Sequence, residues 1–279
     1  MKKIFIWIAI LVLGFIFAKF TSPQTIVFTS NSLTLVENDY IGKYDFIKFF
    51  PKKSFWITNI DYEVVGAERE TIHHVILENL SKPDYTCPNV FKERIHANGK
   101  EISPLVLPKG YGYPINRTDG IAVINHLINP TQKKLDDIKI RFTFKTKPKN
   151  FFSQLTPVQP IWVDVKNCTN DPTFYVPPKT NQTLTIEPKV YVPNDGKVVY
   201  IGGHLHNYGK EITIKISDVD YKIIPEPNFT NIEKIPHFTY ENNQQIVKKG
   251  DLIDFYAEYD NLSNSEIDGM GIGMIYISK

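Results

Sequence analysis

Ile138-Lys139-Ile140-Arg141-Phe142-Thr143-Phe144 alternates apolar and polar residues without a break, and a period of two puts every apolar side chain on one face of an extended strand. A helix would scatter the same residues around its circumference. Short alternating or β-branched runs recur at Thr25 to Phe28, Phe55 to Ile60, Lys197 to Ile201, Glu211 to Ile216 and Leu252 to Tyr259, between Pro, Gly and Asn clusters. No stretch after the N-terminal leader keeps the i, i+3, i+4, i+7 spacing of an amphipathic helix. The chain is therefore predicted to be all-β, and regularly spaced short strands of this sort point to sandwiches or jelly rolls.

At 279 residues the chain exceeds the usual size of one domain, which favours two cores. Thr146-Lys147-Pro148-Lys149-Asn150 separates a strand-like run from the aromatic start of the next segment, and a Pro-containing polar break of this kind marks a boundary. The predicted organisation is a leader over 1–20, one β-sandwich over 25–150 and a second over 151–279. No period of 20 to 50 residues is present, which excludes solenoids and propellers. A hydrophobic share of 42% and a net charge of only +2 exclude a disordered chain. The basic residues are scattered rather than clustered, so nucleic acid is not an expected partner.

Met1-Lys2-Lys3 precedes an apolar run from Ile4 to Ala18 that Lys19 ends, the pattern of an export signal. The run is shorter than the ~20 residues of a spanning helix, yet no small-x-small cleavage site follows it. Cleaved signal and retained anchor both stay open. The expected location is secreted, periplasmic or on the outer face of a membrane, with membrane contact only through this segment. Cys87 and Cys168 are the only cysteines, and an isolated pair in an exported chain is expected to form a disulfide.

Seven histidines occur, and four fall in two tight pairs, His73-His74 and His204-Leu205-His206. Side chains two apart on a strand share a face, so His204 and His206 can offer imidazoles to one ion without distortion. Adjacent residues point to opposite faces, so His73 and His74 can share an ion only at a bulge, a strand end or a tight bend. For each ring the bland alternative is a half-buried histidine bonded to backbone. His126 lies in the apolar run Ile121-Ala122-Val123-Ile124-Asn125-His126-Leu127-Ile128 before Asn129-Pro130, where a buried imidazole needs a partner. Met270 stands between Gly269 and Gly271, and a thioether there can ligate a soft ion such as Cu(I). Met274, followed by a β-branched strand, is read as core.

The order of these anchors resembles that of the copper type II, ascorbate-dependent monooxygenases, the family of peptidylglycine α-hydroxylating monooxygenase and dopamine β-monooxygenase. The matching stretches are Glu70-Thr71-Ile72-His73-His74-Val75-Ile76-Leu77, His126 before Asn129-Pro130, His204-Leu205-His206-Asn207-Tyr208-Gly209-Lys210, Gly250-Asp251-Leu252-Ile253 and Asp268-Gly269-Met270. They span most of the chain after the leader. The resemblance implies that His73, His74 and His126 hold one copper on the first domain, which stores and supplies an electron. His204, His206 and Met270 would hold the second, where dioxygen attacks a substrate C–H bond, across a solvent-filled cleft from the first. Two copper ions, dioxygen, an external reductant (ascorbate in the family) and a small-molecule or peptide-like substrate are the implied partners. The thioether separates this reading from a zinc hydrolase, since three histidines alone suit zinc equally well.

Two departures bear on substrate. The peptide-amidating members carry an arginine two residues before the first histidine of His-x-His, where this chain has Gly202, and a tyrosine four residues after the methionine ligand, where it has Met274. Substrate identity therefore does not carry over. An exported copper-binding protein without turnover is the alternative on the same ligands, and an adhesion module with structural histidines is a third. His96 and His237 receive no role.

Overall fold

A computed structural model describes residues 22–279 other than 103, 170, 242 and 243; the leader over 1–20 lies outside the described residues. Strands account for nearly all regular structure, and the one helical element among the described residues is the 3₁₀ turn Arg69–Thr71. Every run named from the sequence lies within a strand: Gln24–Thr29, Phe55–Val65, Leu135–Pro148, Gly196–Leu205, Gly209–Ile216 and Leu252–Asn261. The chain is all-β and built as sandwiches.

In the first half, Asp39–Phe49, Ile121–Asn129, Ile72–Pro83 and Lys92–Asn98 form an antiparallel sheet in that order. It faces a second sheet in which Gln24–Thr29, Leu135–Pro148, Phe55–Val65 and Tyr111–Ile115 are neighbours. Val75, Leu77, Val123 and Leu127 from the one meet Ile57, Ile60, Ile140, Phe142 and Phe144 from the other in a common core. Ile140, Phe142 and Phe144 are inward residues of the alternating run Ile138 to Phe144, and Arg141 between the first two is exposed.

In the second half, Thr180–Thr185, Leu252–Asn261, Gly209–Ile216 and Val219–Ile223 form one antiparallel sheet. Its inner residues pack on the strands Thr156–Asp164, Gly271–Ser278 and Gly196–Leu205.

The two halves share a sheet. Thr156 and Pro157 pair in parallel with Tyr111 and Gly112, so the outer sheet of the first sandwich continues into the inner strands of the second. Those inner strands are buried on both faces, and their period of two divides them between the cores. Trp162, Tyr200, Met274 and Tyr276 belong to the first core, whereas Ile161, Val163, Ile201, Ile275 and Ile277 belong to the second. This explains why all eight residues of Gly271–Ser278 are buried: a strand covered on both sides loses the polar alternation of a half-exposed one. The connection expected near Asn150 lies between Leu135–Pro148 and Thr156–Asp164, but packing does not stop there.

Cys87 and Cys168 form a disulfide across a sequence separation of 81, tying a first-half loop to a second-half one. Closing a loop of that length removes conformational freedom from the unfolded chain, worth about 4 kcal/mol in the chain-entropy account.

Candidate metal centre

His74 faces His126 across the pairing of Ile72–Pro83 with Ile121–Asn129, and the register slips by one residue between Ile72 and His74. His73 is thus the extra residue of a bulge, and the bulge turns two neighbouring side chains toward one side. The result is direct: the His73 and His74 ring centroids are 4.0 Å apart, and His73 Nδ1 lies 2.9 Å from His126 Nδ1. The exposed Tyr44 ring stacks on His126 at 4.1 Å. Gly42, at φ +75°, lets the neighbouring strand hug that ring, because a Cβ there would stand 2.2 Å from the Leu127 carbonyl and 3.0 Å from His126 Nε2.

His204 lies near the end of Gly196–Leu205, and His206 follows one residue beyond. His204 Nδ1 bonds the buried carboxylate of Glu101 at 2.5 Å. Burial alone would raise the Glu101 carboxyl, but attraction to His204 and the hydrogen bond outweigh it and hold the group below its ordinary value. A carboxylate on one ring nitrogen fixes the tautomer and aims the other nitrogen, as carboxylates do behind metal-bound histidines. Glu101 is itself anchored on the second half, where its carbonyl accepts from Ile235 N–H and Ile102 bridges to Ile235. His206 Nδ1 lies 3.3 Å from the Asp268 carbonyl oxygen and 3.4 Å from its carboxylate.

Tyr259 joins the thioether to this pair. Its buried hydroxyl accepts from the backbone N–H groups of His206 and Met270, at 3.0 Å each, and donates to the Met270 carbonyl. One phenol therefore sets the backbone of two residues that are 64 positions apart in sequence. Met270 is buried and lines a cavity of about 500 Å³ together with His73, His74, His126 and His204. A second cavity of about 500 Å³ opens on the Glu101 and Asp268 side, with His73, His204 and His206 in its wall. The imidazoles form a partition between the two.

The resemblance implied two ligand triads, His73, His74 and His126 against His204, His206 and Met270, facing each other across a solvent-filled cleft. In the structure all five rings join one array: His74 lies 5.2 Å from His204 and 6.1 Å from His206 between centroids, and His73 lies 5.9 Å from His206. The shared core draws the halves together, and the space left between the two sets is the cavity that His73, His74, His126, His204 and Met270 line.

The donor set fits a metal. His74 Nε2, His204 Nε2 and His206 Nε2 are buried without a hydrogen-bond partner, and an orphaned buried polar atom costs about 1–3 kcal/mol. The ligand nitrogens of His73, His74 and His206 lie within 4.8 Å of one another. Burial and the neighbouring imidazoles push His73 down to about 4 and His74 well below its ordinary 6.5. Both rings are therefore neutral, with lone pairs available, at physiological pH. His96 and His237 stand apart from the array: His96 Nδ1 contacts the Tyr276 hydroxyl at 3.2 Å, and His237 stacks on Tyr200.

Gly202 and Met274 mark the departures in space. A Cβ on Gly202 would lie 2.5 Å from the Tyr200 hydroxyl, so no longer side chain fits there without moving that phenol. Met274 is buried in the first core and lines the Met270 cavity. The arginine in that cavity, Arg94, is held by Asp84 through Nε at 2.9 Å and Nη2 at 3.1 Å, between the Phe91 and Trp162 rings. Its charge is already matched.

Glu101, Tyr259, Tyr44 and Gly42 escaped the sequence reading. Glu101 sits 103 residues from His204, and Tyr259 reads as one more inward residue of an alternating strand, so neither carries a local signal.

No protein-family model and no curated protein matches the chain. Among solved structures it is similar to PNGase F, a glycosylasparaginase from Flavobacterium meningosepticum, at 11% identity and a TM-score of 0.46 over 91% of this chain and 96% of that one. It is also similar to the major capsid protein P2 of bacteriophage PM2, at 10% identity and a TM-score of 0.38 over 91% and 97%. These are remote likenesses of fold and say nothing of chemistry.

Two outcomes are expected. Replacing Tyr259 by Phe leaves buried backbone groups of His206 and Met270 without their partner, at about 1–3 kcal/mol per lost bond. Chemical denaturation of Tyr259→Phe and wild type measures this, and equal midpoints would count against the tie. The second concerns pH. His73 and His74 bind protons less readily folded than unfolded, so the unfolded state takes up protons first as pH falls. The metal-free protein should lose up to ~1.4 kcal/mol per pH unit for each ring from about 6.5 down toward the folded-state value, and flat stability over that window contradicts the burial described.

Proposed function

We propose that this chain is a dicopper monooxygenase that hydroxylates a substrate C–H bond with dioxygen and an external reductant, ascorbate being the family's. The observation that carries the reading is the convergence of five imidazoles in one array, three with buried unpartnered Nε2 atoms, where His73, His74, His126 and His204 line a cavity that Met270 also lines. His73, His74 and His126 would hold the copper that takes up and passes on an electron. His204, His206 and Met270 would hold the copper that engages dioxygen. Imidazole supports both oxidation states of copper, and a thioether favours the reduced one.

The chain's own residues supply the rest of the chemistry. Glu101 fixes which His204 nitrogen faces the site, and Tyr259 holds the His206 and Met270 backbones in register. Ile76, Ile124, Trp162, Ile272 and Met274 give the Met270 cavity apolar walls, which limit water around a reactive centre. With Gly202 at the arginine position and Arg94 matched by Asp84, these residues offer no free guanidinium to clamp a substrate carboxylate. The substrate is therefore expected to bind without that grip. The one disulfide agrees with the oxidising compartment that export would supply.

A copper-binding protein without turnover would use the same ligands, and reactivity separates the two. Loaded with copper and supplied with ascorbate, wild-type protein should consume dioxygen, and Met270→Ala should lower that rate at least tenfold while most of the copper remains bound. Retained copper with no methionine-dependent uptake favours the binding protein; failure to retain copper rejects both.

A further inference from the structure

Three connections meet at one end of the first sandwich, residues 50–54, 116–120 and 148–153. The Lys149 N–H donates to the Ser54 carbonyl, the Arg117 N–H to the Ser54 hydroxyl and the Trp56 indole N–H to the Ser153 carbonyl. The loops are therefore held as one surface. It presents Phe50 at 70% exposure, Phe151 at 87% and Phe152 at 58%, the last two rings edge to face at 5.4 Å. Rings left in water forgo the stabilisation of burial, so aromatic side chains gathered at one tip mark a surface that meets something apolar.

Cations surround these rings. Lys52, Lys53 and Arg117 are exposed, and Lys147 and Lys149 are half-buried. The three loops hold one carboxylate, Asp119, which is buried and accepts from the Asn79 amide and the Asn116 backbone N–H. This end is thus positive in a chain whose total charge is only +2. The cations come from separate stretches of sequence, and only the fold gathers them. Apolar rings that enter a headgroup layer, ringed by basic side chains that meet anionic phosphates, are the two forces that hold a protein at a lipid surface.

The leader joins the fold at the same place. Gln24 pairs with Thr146, so the strand Gln24–Thr29 begins beside residues 147–152. Only Lys19-Phe20-Thr21 separate the apolar run Ile4 to Ala18 from Ser22, a reach of at most ~14 Å along an extended chain. A bilayer that takes up this run lies within reach of the loops.

We propose that this end of the first sandwich is a membrane-docking face, with Phe50, Phe151 and Phe152 entering the headgroup layer of an anionic bilayer and the surrounding cations meeting its phosphates. Contact then comes from the fold as well as from the leader, and it orients the body. His126 lies six residues along from Gly120 on Ile121–Asn129, about 20 Å at the rise of a strand. The imidazole array is held clear of the lipid.

Every strand among the described residues lies within 24–278, so the chain without residues 1–20 keeps both cores and isolates the loops' contribution. It is sedimented with vesicles of phosphatidylcholine alone and of phosphatidylcholine with an equal share of phosphatidylglycerol. Binding to the mixed vesicles is expected, and it should fall by about tenfold or more both in Phe151→Ser/Phe152→Ser and in Lys52→Gln/Lys53→Gln. Tyr175→Ser, which removes an exposed ring from the second half, should bind as wild type does. No wild-type binding to the mixed vesicles, or an equal loss in Tyr175→Ser, overturns the proposal. The full chain in discs of the mixed bilayer gives a second readout. A spin label on Phe151→Cys, with Cys87 and Cys168 already paired, should be relaxed more by oxygen, which dissolves in lipid, than by a water-soluble nickel chelate. The reverse preference overturns docking by the loops even where the leader holds the protein in the bilayer.

Discussion

Keeping imidazole nitrogens dry is the constraint on which the rest of the structure depends. The Nε2 atoms of His74, His204 and His206 are buried without hydrogen-bond partners, and each costs what an unmade hydrogen bond costs in a protein interior. A fold accumulates such a debt in one place only where something else satisfies those atoms. The supporting contacts match this reading: Tyr44 stacks against His126, while Glu101 behind His204 and Tyr259 beneath both His206 and Met270 fix position and leave the Nε2 atoms of His204 and His206 open.

The scaffold meets this constraint with ordinary β-sheet devices. A bulge puts His73 and His74 on one side, a left-handed glycine brings the neighbouring strand onto His126, and the strand Gly271–Ser278, covered on both faces, carries the segment that ends in Met270 into the centre. The shared sheet gives the two sandwiches a common wall, and the array sits where that wall brings second-half strands against the first-half sheet. Rigid elements rather than loops hold most of the donors, as a site with fixed geometry requires.

How much of this was legible in the sequence depends on the range over which each signal acts. Strand identity is local, and the alternation in Ile138–Phe144 or Leu252–Tyr259 reports it directly because the pleat has a period of two. The His-x-His pair was legible for the same reason. His73-His74 could be read only as conditional on a bulge, since a register slip is a relation between two strands and leaves no mark on one of them. The partners of the ligands were illegible: Glu101 and Tyr259 reach the site through pairings made by the completed fold. The closeness of the two histidine sets was hidden too, because it follows from Trp162, Tyr200, Met274 and Tyr276 packing into the neighbouring core. An alternating strand shows that it has an inner face, and not which core that face meets.

The claim at the centre of this account is that imidazoles and the Met270 thioether together hold copper. X-ray absorption at the copper edge of the reduced, copper-loaded protein tests it most directly. The account predicts nitrogen scatterers from imidazole together with a sulfur scatterer that disappears in Met270→Ala. A spectrum with nitrogen and oxygen alone, unchanged by that substitution, would contradict it.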